Sequence, residues 1–159
     1  MTHRGSGNAS PSARQRNRAR SATQADQSGG APPATSDRCA TVLVVEDDCR
    51  LRRVACTRLV GLGYQVLETS DAAAAIALLA EHPEVEVLFS DLVLPGEMSG
   101  LDLAKRVREQ YPGVRIILTS GYAAELLHGE EHDLGLHVLL KPYSRASLER
   151  IFDDTLRAR

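Results

Sequence analysis

A chain of 159 residues holds one domain of ordinary size and excludes two full enzyme domains. With 43% hydrophobic and 25% charged residues it can bury a core, while three cysteines without a CxxC pair argue against a disulfide framework or a zinc ribbon and suit a reducing, cytoplasmic setting. The net charge of −2 conceals a basic stretch, Met1–Ala40, where six arginines face two aspartates, and no apolar run reaches the roughly 18 residues that a membrane span needs.

Residues 1–40 are built from Gly, Ser, Ala, Pro, Gln and Arg, with no Phe, Tyr or Trp and no apolar periodicity. Such a segment cannot offset the entropy of ordering, so it is expected to be a disordered basic arm ahead of a folded domain over residues 41–159. Its Arg14, Arg16, Arg18 and Arg20 offer phosphate contacts but no interleaved aromatic for base stacking, and a solvated tail is the simpler reading. The N-terminus lacks the apolar core of a secretory signal.

From Thr41 the texture changes. TVLVV is a short, β-branched, continuously apolar run, the signature of a buried parallel strand, and it ends in Glu46, Asp47 and Asp48. Asp48 can cap a helix with Leu51, Val54, Ala55, Leu59 and Leu62 on its apolar side, ended by Gly61 and Gly63. YQVLE reads as a second strand. Asp71 opens the alanine-rich AAAAIALLAEH, a helix that Pro83 stops, and VEVLFS is a third strand running into Asp91.

The loop DLVLPGEMSG leads to a helix with Leu101, Leu103, Ala104 and Val107 inward, broken at Tyr111-Pro112-Gly113. VRIILTS is the fourth strand, followed by a short helix over Tyr122–His128, a polar loop and a fifth strand, LHVLL, ending at Lys141-Pro142. Ser144 caps a last helix with Leu148, Ile151, Phe152 and Leu156 on its apolar face. Five strands alternating with five helices predict an α/β fold, a five-stranded parallel sheet with helices on both faces. In such sheets function gathers beyond the carboxyl ends of the strands, where strand order reverses.

Those ends carry Glu46 and Asp47, then Asp91, then Thr119 and Ser120, then Lys141. Clustered carboxylates repel unless a cation neutralises them, and hard oxygen ligands select Mg²⁺, which leaves room for phosphate oxygens. An aspartate facing a hydroxyl and an ammonium beside Mg²⁺ suits phosphoryl transfer onto the aspartate.

VLVVEDD, FSDLVLPGEMSG, ILTSGY and LLKPYS together resemble, in order, the four blocks of response-regulator receiver domains of two-component signalling, over Thr41 to about Leu156. The second and third blocks are also similar to receivers fused to hybrid histidine kinases. The resemblance implies a flavodoxin-like (βα)5 domain with Asp91 as phosphoacceptor, Thr119 as switch hydroxyl and Lys141 as the amine that contacts the phosphoryl group. It further implies Mg²⁺ held by Glu46, Asp47, Asp91 and the backbone carbonyl of Val93, and a cis peptide before Pro142. The phosphodonor would be a histidine kinase or a histidine phosphotransfer protein.

Such a stand-alone receiver catalyses only its own phosphorylation and dephosphorylation, so it is not an enzyme in the ordinary sense. With one helix after Ser144 no DNA-binding domain is expected, and output would pass through surface contacts, including a possible homodimer through the last two helices and strand five. Val138 stands where the family often carries an aromatic, so the signal is expected to leave through the Thr119 loop and the Tyr122–His128 helix.

Competing readings fit less well. A phosphorylation-independent interaction module would not need Asp91, Thr119 and Lys141 together. A haloacid-dehalogenase-type phosphatase needs a DxDx[TV] pattern, whereas Asp91 is followed by Leu92-Val93-Leu94. GLGYQV lacks the third glycine of a dinucleotide loop and lies between a helix and a strand, the wrong order. HGEEH is not HExxH and reads as a solvated loop, and the single cysteines read as small buried hydrophobes.

Overall fold

The computed structural model describes residues 40–121 and 136–157. In chain order these form β1 (Thr41–Val45), α1 (Cys49–Val60), β2 (Gln65–Thr69), α2 (Ala72–Glu81), β3 (Val85–Asp91), α3 (Gly100–Gln110), β4 (Arg115–Ser120), β5 (His137–Leu140) and α4 (Arg145–Arg157). The expected basic arm and the expected Tyr122–His128 helix lie outside the described residues.

The helices start where short polar side chains satisfy their orphan amides. Asp48 accepts from the amides of Arg50 and Leu51 at 2.8 and 3.1 Å, and Asp71 from that of Ala74 at 2.8 Å. Ser144 accepts from the Ser147 amide at 3.0 Å. At α3, Ser99 and Asp102 cap each other's backbone amides, a reciprocal box written in the sequence as S-x-x-D.

All strand pairs are parallel, and the sheet order is β2-β1-β3-β4-β5. The chain steps one way from β1 to β2 and the other way from β2 through β3 to β4. Right-handed crossovers therefore place α1 on one face and α2 and α3 on the opposite face. The two buried clusters follow this division. Val42, Val44, Val87, Phe89, Ile117 and Leu139 pack with Ala55 and Leu59 of α1 and Leu148 and Phe152 of α4. Leu43, Val45, Leu88 and Leu118 pack with Ala75, Leu79, Leu103 and Val107 of α2 and α3.

One irregularity breaks the two-residue alternation. Thr41 pairs with Val85 but Val42 pairs with Val87, so Glu86 is an extra residue, and Val85 and Val87 bury on opposite faces. Helix α1 also departs from its predicted apolar face. Ala55 and Leu59 are buried, but Leu51 and Val54 are 47% and 44% exposed. Val54 lies about 100° around the helix from Ala55 and points away from the sheet. Leu51 sits in the first turn, at the level of the strand ends, where the sheet no longer covers it.

Candidate functional site

Strand parity assembles the site. On β1, Val42 and Val44 face α1 and α4, so Glu46 continues on that face, and the same two-residue step carries Phe89 to Asp91, Ile117 to Thr119 and Leu139 to Lys141. Asp91 and Thr119 are register partners on neighbouring strands. Glu46 follows the last residue of β1 and Asp91 ends β3, strands that flank the reversal of strand order, so the crevice expected in this topology lies between them.

Lys141 bridges the crevice. Its ammonium donates to Glu46 Oε2 and to Asp91 Oδ2, both at 2.6 Å. The lysine is held at its own backbone, where its amide donates to the Ser120 carbonyl at 2.7 Å and a cis peptide follows to Pro142. Asp91 is fixed from the other side by the Val93 amide, which donates to Oδ1 at 3.2 Å. Thr119 is buried, and its hydroxyl meets the Ser90 carbonyl at 3.5 Å, the far limit of a hydrogen bond.

Glu46 is 6% exposed. Burial pushes its carboxyl above the usual carboxylate range, Lys141 opposes that, and the negative charge of Asp91 adds to it. For Lys141, burial disfavours the ammonium, but the two carboxylates outweigh burial and hold it above the ordinary lysine value. Two carboxylates share one ammonium, so the site keeps a deficit of positive charge. Asp47, exposed, completes a group with Glu46 and Asp91 in which one carboxylate oxygen from each lies within 4.8 Å of the others. Three hard oxygens around one point, open to water, fit a small divalent cation such as Mg²⁺.

The chain matches the model of the response regulator receiver domain over residues 42–153. It belongs to that family. It is 35% identical over 118 residues to the response regulator receiver protein CpdR of Brucella abortus (strain 2308), covering 74% of this chain and 97% of that protein. To the sensor kinase CckA of the same organism it is 33% identical over 119 residues, 74% of this chain but 12% of the kinase, so much of what that protein carries has no counterpart in the match. The crystal structure of chemotaxis protein CheY4 from Vibrio cholerae superposes with a TM-score of 0.68 at 26% identity, covering 74% of this chain and 99% of that one.

The receiver is therefore a phosphoacceptor module of two-component signalling, and its family is one of signalling modules. Among the described residues no helix is long and apolar enough to cross a membrane.

The structure brings Glu46, Asp47, Asp91, Thr119 and Lys141 to one rim, as the sequence predicted. Val93 is on the adjoining loop. Val138 is half-buried against the α2–α3 core. Two residues of the site were missed. Gly100, the first residue of α3, packs so closely under Asp91 that an added Cβ would stand 1.8 Å from the Asp91 carbonyl oxygen. Its position at the end of the FSDLVLPGEMSG block was the available signal. Arg52 of α1 donates to the Glu46 carbonyl at 2.7 Å, and nothing in the sequence distinguished it from its arginine neighbours.

The two described cysteines correct a further expectation, and Cys39 lies outside the described residues. Cys49 is exposed, whereas Cys56 is half-buried and donates to Glu68 Oε2 at 3.4 Å. Burial and the Glu68 carboxylate push the Cys56 thiol up to about 12, which keeps it a protonated donor at neutral pH.

Proposed function

We propose that Asp91 accepts the phosphoryl group, from a phosphohistidine of a histidine kinase or of a histidine phosphotransfer protein. The observation that carries this reading is the Lys141 bridge, which places an ammonium 2.6 Å from Asp91 at the reversal of strand order, with a buried hydroxyl on the partner strand. A carboxylate oxygen of Asp91 attacks phosphorus in line with the departing imidazole nitrogen, which leaves with the electron pair of the broken P–N bond. Lys141 exchanges its carboxylate contact for a phosphoryl oxygen, and the Thr119 hydroxyl gives up the weak Ser90 contact to donate to another. Hydrolysis of the acyl phosphate returns the starting state, so self-phosphorylation and self-dephosphorylation are the chemistry assigned to the chain.

Glu46, Asp47, Asp91 and the Val93 carbonyl would hold Mg²⁺, which supplies neutralisation of the negative charge gathered on the transferring group. The raised carboxyl of Glu46 and the single ammonium shared by two acids support a need for a further cation here. Residues 1–40 form a basic arm outside the receiver, and residues 41–159 the receiver itself. Output passes through surface contacts, with β5, α4 and the neighbouring helix expected after Gly121 as the face for partners or a second copy.

Incubation with acetyl phosphate and Mg²⁺, followed by intact mass, tests the assignment. One phosphoryl group should appear, be released by hydroxylamine, and be absent from Asp91→Asn and from wild type in excess chelator. Label that persists in Asp91→Asn overturns the choice of residue. A wild type that takes no label returns the reading to a phosphorylation-independent interaction module.

A further inference from the structure

Arg52 makes contacts that the phosphoacceptor reading does not use. It is the fourth residue of α1, with its guanidinium turned back under the β1–α1 loop. There Nη1 donates to the carbonyl of Glu46 at 2.7 Å and, more weakly, to that of Asp47 at 3.4 Å. Its own amide donates to the carbonyl of Asp48 at 2.8 Å. Three consecutive carbonyls of the acidic loop thus accept from one residue.

The other end of the guanidinium is anchored on the sheet. Nε lies 3.3 Å from Glu68 Oε2 on β2, and the same oxygen accepts from the protonated Cys56 thiol. The residue after Glu68, Thr69, accepts from the Glu46 amide at 3.2 Å through its carbonyl. Glu46 is therefore gripped at both its amide and its carbonyl by adjacent positions of β2, directly or through Arg52. Peptide orientation sets the direction of each Cα–Cβ bond, so this closed ring of contacts fixes where the Glu46 and Asp47 side chains leave the backbone.

We propose that Arg52 is a positioning residue for the divalent cation: by tying the Glu46 and Asp47 carbonyls to Glu68 it holds the acidic pair in a metal-ready arrangement. The proposal rests on the metal site proposed above. Charge alone makes the opposite prediction. Removing a guanidinium from beside two acids lowers competing positive charge and would tighten cation binding, whereas loss of positioning weakens it. The direction of the change separates the two.

The test is calorimetric titration of Mg²⁺ into the full chain, with melting temperatures measured without metal. Arg52→Ala should bind about tenfold more weakly than wild type, at the lower end of the loss typical when a group that orients metal ligands is removed. Arg52→Lys, which keeps one donor and the charge, should recover part of that loss. Glu68→Gln, which weakens the anchor alone, should show a smaller one. Affinity equal to or above wild type in Arg52→Ala, with or without a fall in melting temperature, overturns the proposal. If Arg52→Ala does not fold, unchanged affinity in both Arg52→Lys and Glu68→Gln overturns it equally. A wild type that binds no Mg²⁺ overturns the metal site beneath it instead, a distinct result.

Discussion

Gly100→Ala puts two opposed effects at one position. Alanine is the better helix former by up to about 1 kcal/mol, so propensity predicts a more stable α3. The structure predicts the reverse. The added Cβ would meet the Asp91 carbonyl oxygen at 1.8 Å, the Asp91 carbonyl carbon at 2.8 Å and Leu92 Cα at 3.0 Å, all backbone atoms. A carbon approaches a carbonyl oxygen to about 3.3 Å at closest, so helix and strand end must part by well over an ångström.

That displacement also threatens the bond from the Gly100 amide to the Leu92 carbonyl at 2.9 Å. Overpacking costs about 1–3 kcal/mol and a lost hydrogen bond about 1, so after the propensity gain the net loss is about 2 kcal/mol. For a domain of this size that is a fall in melting temperature of roughly 8 °C. Circular dichroism melts measure it, with Gly113→Ala, where an added Cβ meets nothing within 4 Å, as the control. The displaced atoms belong to Asp91, so the rate of labelling by acetyl phosphate should fall as well. A Gly100→Ala protein melting at or above wild type refutes the close-approach argument.

Asp47→Ala should weaken Mg²⁺ binding more than Glu46→Ala, because Glu46 is already engaged by Lys141 while Asp47 is exposed; equal losses on titration contradict this. Burial raises the phenols of Tyr64 and Tyr143 above the usual tyrosine value. Their contribution to stability is fully present below pH 10 and is lost as pH rises through the folded values. Absorbance titration at alkaline pH should show late ionisation that Tyr64→Phe and Tyr143→Phe each diminish, and two unshifted tyrosines would count against it. Deleting Met1–Asp37 should leave melting temperature and labelling unchanged, since the segment brings no aromatic residue to a core; a melting temperature several degrees lower would show that it packs.

Much of this protein is local in its logic, and the sequence alone determined that part. Asp48, Asp71 and Ser144 announce helix starts because a short polar side chain before an apolar repeat satisfies orphan amides wherever it occurs. The two-residue period carries Val44 to Glu46, Phe89 to Asp91, Ile117 to Thr119 and Leu139 to Lys141, so one face of four strands delivers the site. Contacts between segments distant in sequence obey no such period. The 2.6 Å bridge from Lys141 to Glu46 and Asp91 depends on the order of strands, since β5 reaches β1 only across β4 and β3.

The bulge at Glu86 is invisible in a run of apolar and charged residues that alternates well enough as a plain strand. Leu51 and Val54 satisfy helical spacing yet stand in water, because spacing names a face of a helix but not where the sheet beneath it ends. Arg52 reads as one of several arginines on α1 until the turn of the chain brings the Glu46 carbonyl to its guanidinium and β2 supplies Glu68. Gly100 reads as a loop residue until the return of α3 against the end of β3 leaves no room for a single methyl group. Tertiary structure decided these because each depends on where separate segments lie against one another, and residue types do not record that placement.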